Sequence, residues 1–63
     1  MVRDWLKVLR IEKNMTMRDV AHGARISESY YSQIENGKRS PSVNAAKAIG
    51  ATLGFPWTRM FID

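Results

Sequence analysis

Residues 16–39, TMRDVAHGARISESYYSQIENGKR, constrain this chain more than any other stretch. They read as a short helix, a tight turn, a second short helix and a basic loop. Thr16 is placed to cap the first helix, its hydroxyl accepting from backbone N–H groups of the first turn, and Asp19 adds a favourable charge there. Met17, Val20, Ala21 and Ala24 share one helical face. Ile26 breaks the pattern, and Ser27 offers a second N-cap. A new apolar face runs through Tyr30 or Tyr31 and Ile34, and Asn36-Gly37 suits the left-handed backbone that ends a helix. Two helices of about two turns each, so closely linked, must cross steeply, and neither has enough apolar surface to be stable alone. They hold each other, and the rest of the chain is expected to support them.

The flanking segments suit that role. Residues 2–13 are predicted helical, with Val2, Trp5, Leu6 and Leu9 on one stripe and Arg3, Asp4, Lys7, Arg10 and Glu12 alternating in sign around the rest. Asn14 is a suitable left-handed stop, and Trp5 is read as a core residue pinning this helix. Lys38-Arg39-Ser40-Pro41 forms a loop with two adjacent positive charges. Pro41 disfavours helix at Ser40, and Ser42 caps the next helix. Val43, Ala46, Ile49 and Leu53 give that helix a buried stripe. Gly50 costs it ~1 kcal/mol of propensity, which points to close packing at that position. Gly54 ends it, and the apolar tail from Phe55 is expected to add a last helical turn or two from near Pro56. No segment alternates with a period of two, and there is no repeat or linker. The expectation is a single all-α domain spanning 1–63, five short helices around one core.

Composition excludes several function classes. A chain of 63 residues buries only about 60% of its unfolded surface, so its core is small. With no cysteine and a single histidine it has no disulfide and no zinc site, so neither metal nor cofactor is expected. No apolar run approaches the length of a membrane span, and Met1-Val2-Arg3-Asp4 is not followed by a signal-peptide core. A soluble cytoplasmic protein is expected, with no membrane partner and no small-molecule substrate. Asp19, His22 and Ser27 supply the residue types of a triad, but Asp19 and His22 lie one turn apart on a polar face. Nothing offers an oxyanion hole or a phosphate loop, so the chain is not read as an enzyme. The net charge of +4 favours a polyanionic partner where the positive groups gather near a recognition element.

The segment SESYYSQIENGKRSPS, preceded by TMRDVA and followed by a small amphipathic helix, closely resembles the lambda-repressor-like, Cro/CI-type helix-turn-helix regulators of the xenobiotic-response-element group. The resemblance runs from about Trp5 to Phe61, and is most specific over Ser32–Arg39 with Pro41-Ser42 behind it. It implies a helix-turn-helix at about 17–36, whose second helix, Ser27 to roughly Glu35, enters the DNA major groove. It also implies a structural ion pair between Arg10 and Glu35. Such a pair serves orientation more than net stability, because desolvation offsets much of its attraction. Three residues depart from the family pattern: Met17 in place of Gln, Arg25 in place of a turn Gly, and Glu28 in place of Arg or Gln. Loss of the Gln removes a phosphate donor, and an Arg at φ > 0 costs roughly 1 kcal/mol or more.

A helix in the major groove presents mainly its N-terminal half to base edges. On that reading Glu28, Ser29, Ser32 and Gln33 face the bases, with Ser27 at the lip. Gln33 can chelate adenine through N6 and N7, Glu28 can accept from cytosine N4, and the serines can bond bases or phosphates. The same residues would equally form a solvated helix face, and Glu28 would repel phosphate and so reject wrong sequences. Asn36, Lys38 and Arg39 are expected to contact phosphate, as are Thr16 and the N–H groups of Met17 or Arg18 at a helix start.

The function expected is that of a sequence-specific double-stranded-DNA-binding transcriptional regulator, a phage or mobile-element type repressor bound to a near-palindromic operator. Phe55, Trp57, Met60, Phe61 and Ile62 exceed what so small a core is expected to absorb, which points to a homodimer interface; relatives of this shape also pair through their last helix. Cytoplasmic when free, such a protein is nucleoid-associated when bound to DNA. The alternative is a protein-interaction module, an antitoxin or anti-repressor partner that keeps the fold and binds another polypeptide.

Overall fold

The computed structural model describes residues 3–62. Four α-helices follow one another: α1 (Asp4–Glu12), α2 (Met17–Ala24), α3 (Glu28–Glu35) and α4 (Val43–Leu53), and a short 3-10 helix (Trp57–Phe61) closes the chain. The all-α class expected from the sequence holds, with four α-helices where five helices were expected. The fifth segment is a five-residue 3-10 helix; its bonds run three residues apart, as from Arg59 N–H to the Pro56 carbonyl at 3.0 Å. Val2, placed on the stripe of the first helix, lies outside the described residues.

Local chemistry sets nearly every boundary. Thr16 caps α2 in a reciprocal box, its Oγ accepting from Asp19 N–H at 3.0 Å while Asp19 Oδ2 accepts from Thr16 N–H at 2.9 Å. The bond from Thr16 N–H, and then the Thr16 hydroxyl beside it, hold the Asp19 carboxyl below the usual carboxylate range. Ser27 and Ser42 cap α3 and α4 in the same one-sided way, accepting from Tyr30 and Ala45 N–H, each at 3.1 Å.

Each α-helix then stops by the same device. A residue at positive φ turns the chain so that the next N–H reaches back five residues: Met15 to Arg10, Ile26 to Ala21, Lys38 to Gln33 and Phe55 to Gly50. The left-handed residues are Asn14, Arg25, Gly37 and Gly54. Arg25, at φ 58°, therefore does occupy a conformation that glycine would adopt without strain.

Leu6 of α1, Val20, Ala21 and Ala24 of α2, Tyr31 and Ile34 of α3, and Ala46, Ile49 and Leu53 of α4 form the core, with Met60 from the closing helix. Val43 does not join the α4 stripe as expected. It is 49% exposed, one turn ahead of the packed face, and Ala45 is buried instead. Gly50 is where the tail crosses α4: a Cβ there would lie 2.7 Å from the Phe55 carbonyl oxygen. The propensity lost at Gly50 is offset by that close approach.

The tail folds back on the core and does not stand free. Met60 is 2% exposed, while Phe55 and Trp57 are half-buried against the core. Trp5 meets Phe55 edge to face at 5.1 Å, and the Arg59 guanidinium covers the Trp5 ring at 4.3 Å. The expectation that the tail's apolar side chains exceed the core's capacity is thus corrected for Met60. The surplus at the surface is Phe61 and, above all, Ile62, which is 79% exposed.

Candidate nucleic-acid interface

Helix α3 is held from below by a buried charge cluster. Arg10 Nε donates to Glu35 Oε1 at 2.8 Å and Nη2 to Oε2 at 3.2 Å, a two-pronged fork. The third arm of the guanidinium, Nη1, donates to the Met15 carbonyl at 3.0 Å. Tyr31 Oη donates to Glu35 Oε1 at 2.9 Å, one helical turn away. The carboxylate end of this cluster is closed to solvent, Glu35 being 1% exposed and Arg10 9%. The bond to Glu35 raises the Arg10 pKa above its usual value despite burial, and burial followed by the bond to Glu35 raises that of the Tyr31 phenol. At neutral pH Tyr31 is therefore a neutral donor to the carboxylate.

The end of α3 is fastened from the other side of the chain as well. Arg3 N–H donates to the Glu35 carbonyl at 2.9 Å, and Arg3 Nη1 to the Ile34 carbonyl at 2.6 Å. A cation on the last carbonyls of a helix is favourable by dipole and by hydrogen bond. Sequence reading paired Arg10 with Glu35 but missed Arg3 and the Tyr31 hydroxyl. The four-residue spacing of Tyr31 and Glu35 was the available signal for the latter.

The opposite face of α3 is polar and open. Glu28 and Ser29 are exposed in the first turn, and Ser32 and Gln33 are half-exposed in the second. Gln33 Nε2 approaches Ser29 Oγ at 3.4 Å, and Asn36 Nδ2 approaches Ser32 Oγ at 3.3 Å. Arg39 returns to this face, its Nε donating to Gln33 Oε1 at 3.1 Å. The suggested base-reading residues and two of the suggested phosphate residues, Asn36 and Arg39, thus share one surface. Lys38 is exposed beside Arg39, and its backbone N–H closes the α3 terminus on the Gln33 carbonyl at 2.8 Å.

Other site residues have structural duties. Ser27 Oγ accepts as the α3 cap, which leaves its hydroxyl hydrogen and one lone pair for an outward partner. Thr16 Oγ is likewise taken by Asp19, and the Asp19 carboxylate sits at the same helix start as the Met17 and Arg18 N–H groups. That negative charge opposes anion binding there. The Met17 side chain packs on the core, whereas Arg18 is exposed. Tyr30, which the sequence left open between core and contact, is half-buried, and its hydroxyl accepts from Ser42 N–H at 3.1 Å.

The helix-turn-helix family model matches residues 6–59, from within α1 into the closing 3-10 helix. The chain belongs to the Cro/CI-type helix-turn-helix family. Among curated relatives, it is 52% identical over 63 residues to the uncharacterized HTH-type transcriptional regulator YqaF of Bacillus subtilis, covering 100% of this chain and 83% of that one. It is 37% identical over 62 residues to the transcriptional regulator ClgR of Mycobacterium tuberculosis, covering 98% of this chain and 55% of ClgR. Control protein C.MunI of a Mycoplasma species is 39% identical over 59 residues, covering 92% and 80%. No solved structure gives a significant match. The protein is a DNA-binding transcriptional regulator of the helix-turn-helix type, and that family membership sets enzymatic readings aside. No helix among the described residues of this regulator is long and apolar enough to cross a membrane.

Proposed function

We propose that this helix-turn-helix regulator is a cytoplasmic repressor of phage or mobile-element type, and that residues 1–63 act as one module bound as a homodimer to a near-palindromic operator. In this reading α3 lies in the major groove, Ser29, Ser32 and Gln33 meet base edges, and Glu28 rejects sequences that bring phosphate close. Asn36, Lys38 and Arg39 follow the backbone of the duplex, and the exposed Arg18 side chain reaches it near the start of α2. One module reading four or five base pairs discriminates weakly, so two copies about 34 Å apart supply the needed specificity. The exposed Phe61 and Ile62, with the outer parts of Phe55 and Trp57, are the apolar surface available to a second copy.

The observation that carries this reading is the bond between Arg39 and Gln33, because it puts the basic loop on the polar face of α3. Charge that gathers beside a row of hydrogen-bonding side chains is the footprint of a groove-reading helix. Selection of bound sequences from a random duplex pool tests the proposal. The expected product is a near-palindrome bound by two copies of the chain. Its affinity should fall steeply with salt, by roughly 0.9 log units per tenfold salt for each phosphate neutralised. Gln33→Ala combined with Ser32→Ala should abolish operator binding and leave the melting curve in place. Binding that ignores both salt and this double variant would instead favour a module whose ligand is another polypeptide.

A further inference from the structure

Arg39 is tied to Gln33 twice. Its backbone N–H donates to the Gln33 carbonyl at 3.2 Å, and its side-chain Nε donates to Gln33 Oε1 at 3.1 Å. The guanidinium also lies 5.7 Å from the centroid of the Tyr30 ring, and the Tyr30 hydroxyl is pinned to the α4 cap by Ser42 N–H. A path of contacts therefore runs from the start of α4 through Tyr30 and Arg39 to Gln33, and on to Ser29. A side chain whose only task was to neutralise phosphate would need none of these partners.

The chemistry of the bond fixes which way the Gln33 amide faces. A guanidinium has donors only, so the atom it meets must be the amide oxygen. Gln33 that chelates adenine uses that oxygen to accept from N6 and its nitrogen to donate to N7. Here the N6 amino group would approach an oxygen already held by a cation and would meet Arg39 N–H groups as well. What Gln33 and Arg39 offer together is an edge of donors. Guanine, with O6 and N7 both acceptors, is the base that complements it.

We infer that Arg39 is a specificity-determining positioning residue, which orients the Gln33 amide so that the pair selects guanine over adenine at the base facing Gln33. The inference rests on the proposed placement of α3 in the major groove, and it reverses the adenine preference that Gln33 alone would suggest.

The test measures affinities for the selected operator and for the three duplexes changed at the position whose preference Gln33→Ala abolishes. The wild-type chain should prefer guanine there by at least about fivefold over adenine, the lower end of what one bidentate base contact supplies. Arg39→Ala should lose that preference at this one position, keep the preferences elsewhere, and bind every duplex more weakly. Arg39→Lys should recover the general affinity and the salt slope without recovering the guanine preference, since one flexible ammonium cannot lock the amide as a planar fork does. Melting curves of both variants should match the wild type, because the residue is exposed. An adenine preference in the wild type, or equal weakening of all four duplexes by Arg39→Ala, would overturn the inference while leaving the regulator reading intact. If no duplex is bound specifically at all, the regulator reading itself fails and this inference fails with it.

Discussion

On its inner face α3 holds Tyr31 and Glu35 against Arg10; on its outer face it holds Ser29 and Gln33 against Arg39. The two chains of hydrogen bonds have nearly the same parts, each an arginine, an acceptor on the helix and a hydroxyl one turn away. They differ in water. Inside, every polar group has lost its solvent and must find a partner, so removing one leaves another stranded. Outside, water replaces any missing partner, so the bonds orient side chains while adding little to stability. One helix thus carries a rigid anchor and an adjustable reading edge, back to back.

Substitutions that strand a group on the inner face should have the largest effect. Glu35→Ala leaves the Arg10 charge buried without its partner, and the expected loss is about 3–5 kcal/mol. A chain this short has about 3–9 kcal/mol in all, at ~0.05–0.15 kcal/mol per residue. Urea titration followed by helical circular dichroism should find the variant near or past its unfolding midpoint in water. A loss under about 1 kcal/mol would mean that the inner cluster is as wet as the outer one, and the contrast would fail.

Tyr31→Phe is a smaller cut into the same cluster, expected to cost about 1 kcal/mol at neutral pH. Its sharper signature is alkaline. The folded protein raises the Tyr31 pKa above the unfolded value of about 10. The stabilisation linked to Tyr31 is therefore complete below about pH 10 and is lost as pH climbs toward the folded pKa. Stability measured from pH 8 to 11 should fall more steeply for the wild type than for the Phe variant. Parallel curves would show that the phenol is not held in its neutral form.

The turn that leads into α3 gives a change of opposite sign. Arg25→Gly relieves a left-handed backbone and costs some unfolded-chain entropy, for a net gain of about 0.5–1 kcal/mol. A rise of the melting temperature is expected; a fall would show that the Arg25 side chain stabilises the turn in another way. The smallest effect on stability belongs to the outer face. Ser29→Ala and Gln33→Ala should each shift the unfolding free energy by no more than about 0.5 kcal/mol. Operator affinity should nevertheless fall for both, and that separation of fold from binding is what the contrast between the faces requires.

The legible parts of the molecule were those decided by near neighbours. Thr16, Ser27 and Ser42 as caps, Asn14 and Gly54 as stops, and the helix periods between them each depend on residues at most five positions away. The Arg10–Glu35 pair was reached differently, through family resemblance, because no local rule links positions 25 apart. Even where the local reading was sound it stayed conditional: the sequence marked Arg25 as strained only if the turn demanded positive φ, and only the fold established the demand.

By itself, then, the sequence determined an all-α chain, most of its helix boundaries and a helix-turn-helix at its centre, since these follow from periodicity, capping and composition. Tertiary structure alone decided how Tyr30 was seated, that Met60 belonged to the core, that Arg3 closed the end of α3 and that Arg39 gripped Gln33. Those outcomes join segments far apart along the chain, where packing and solvent exclusion choose among side-chain arrangements that local chemistry leaves equally open.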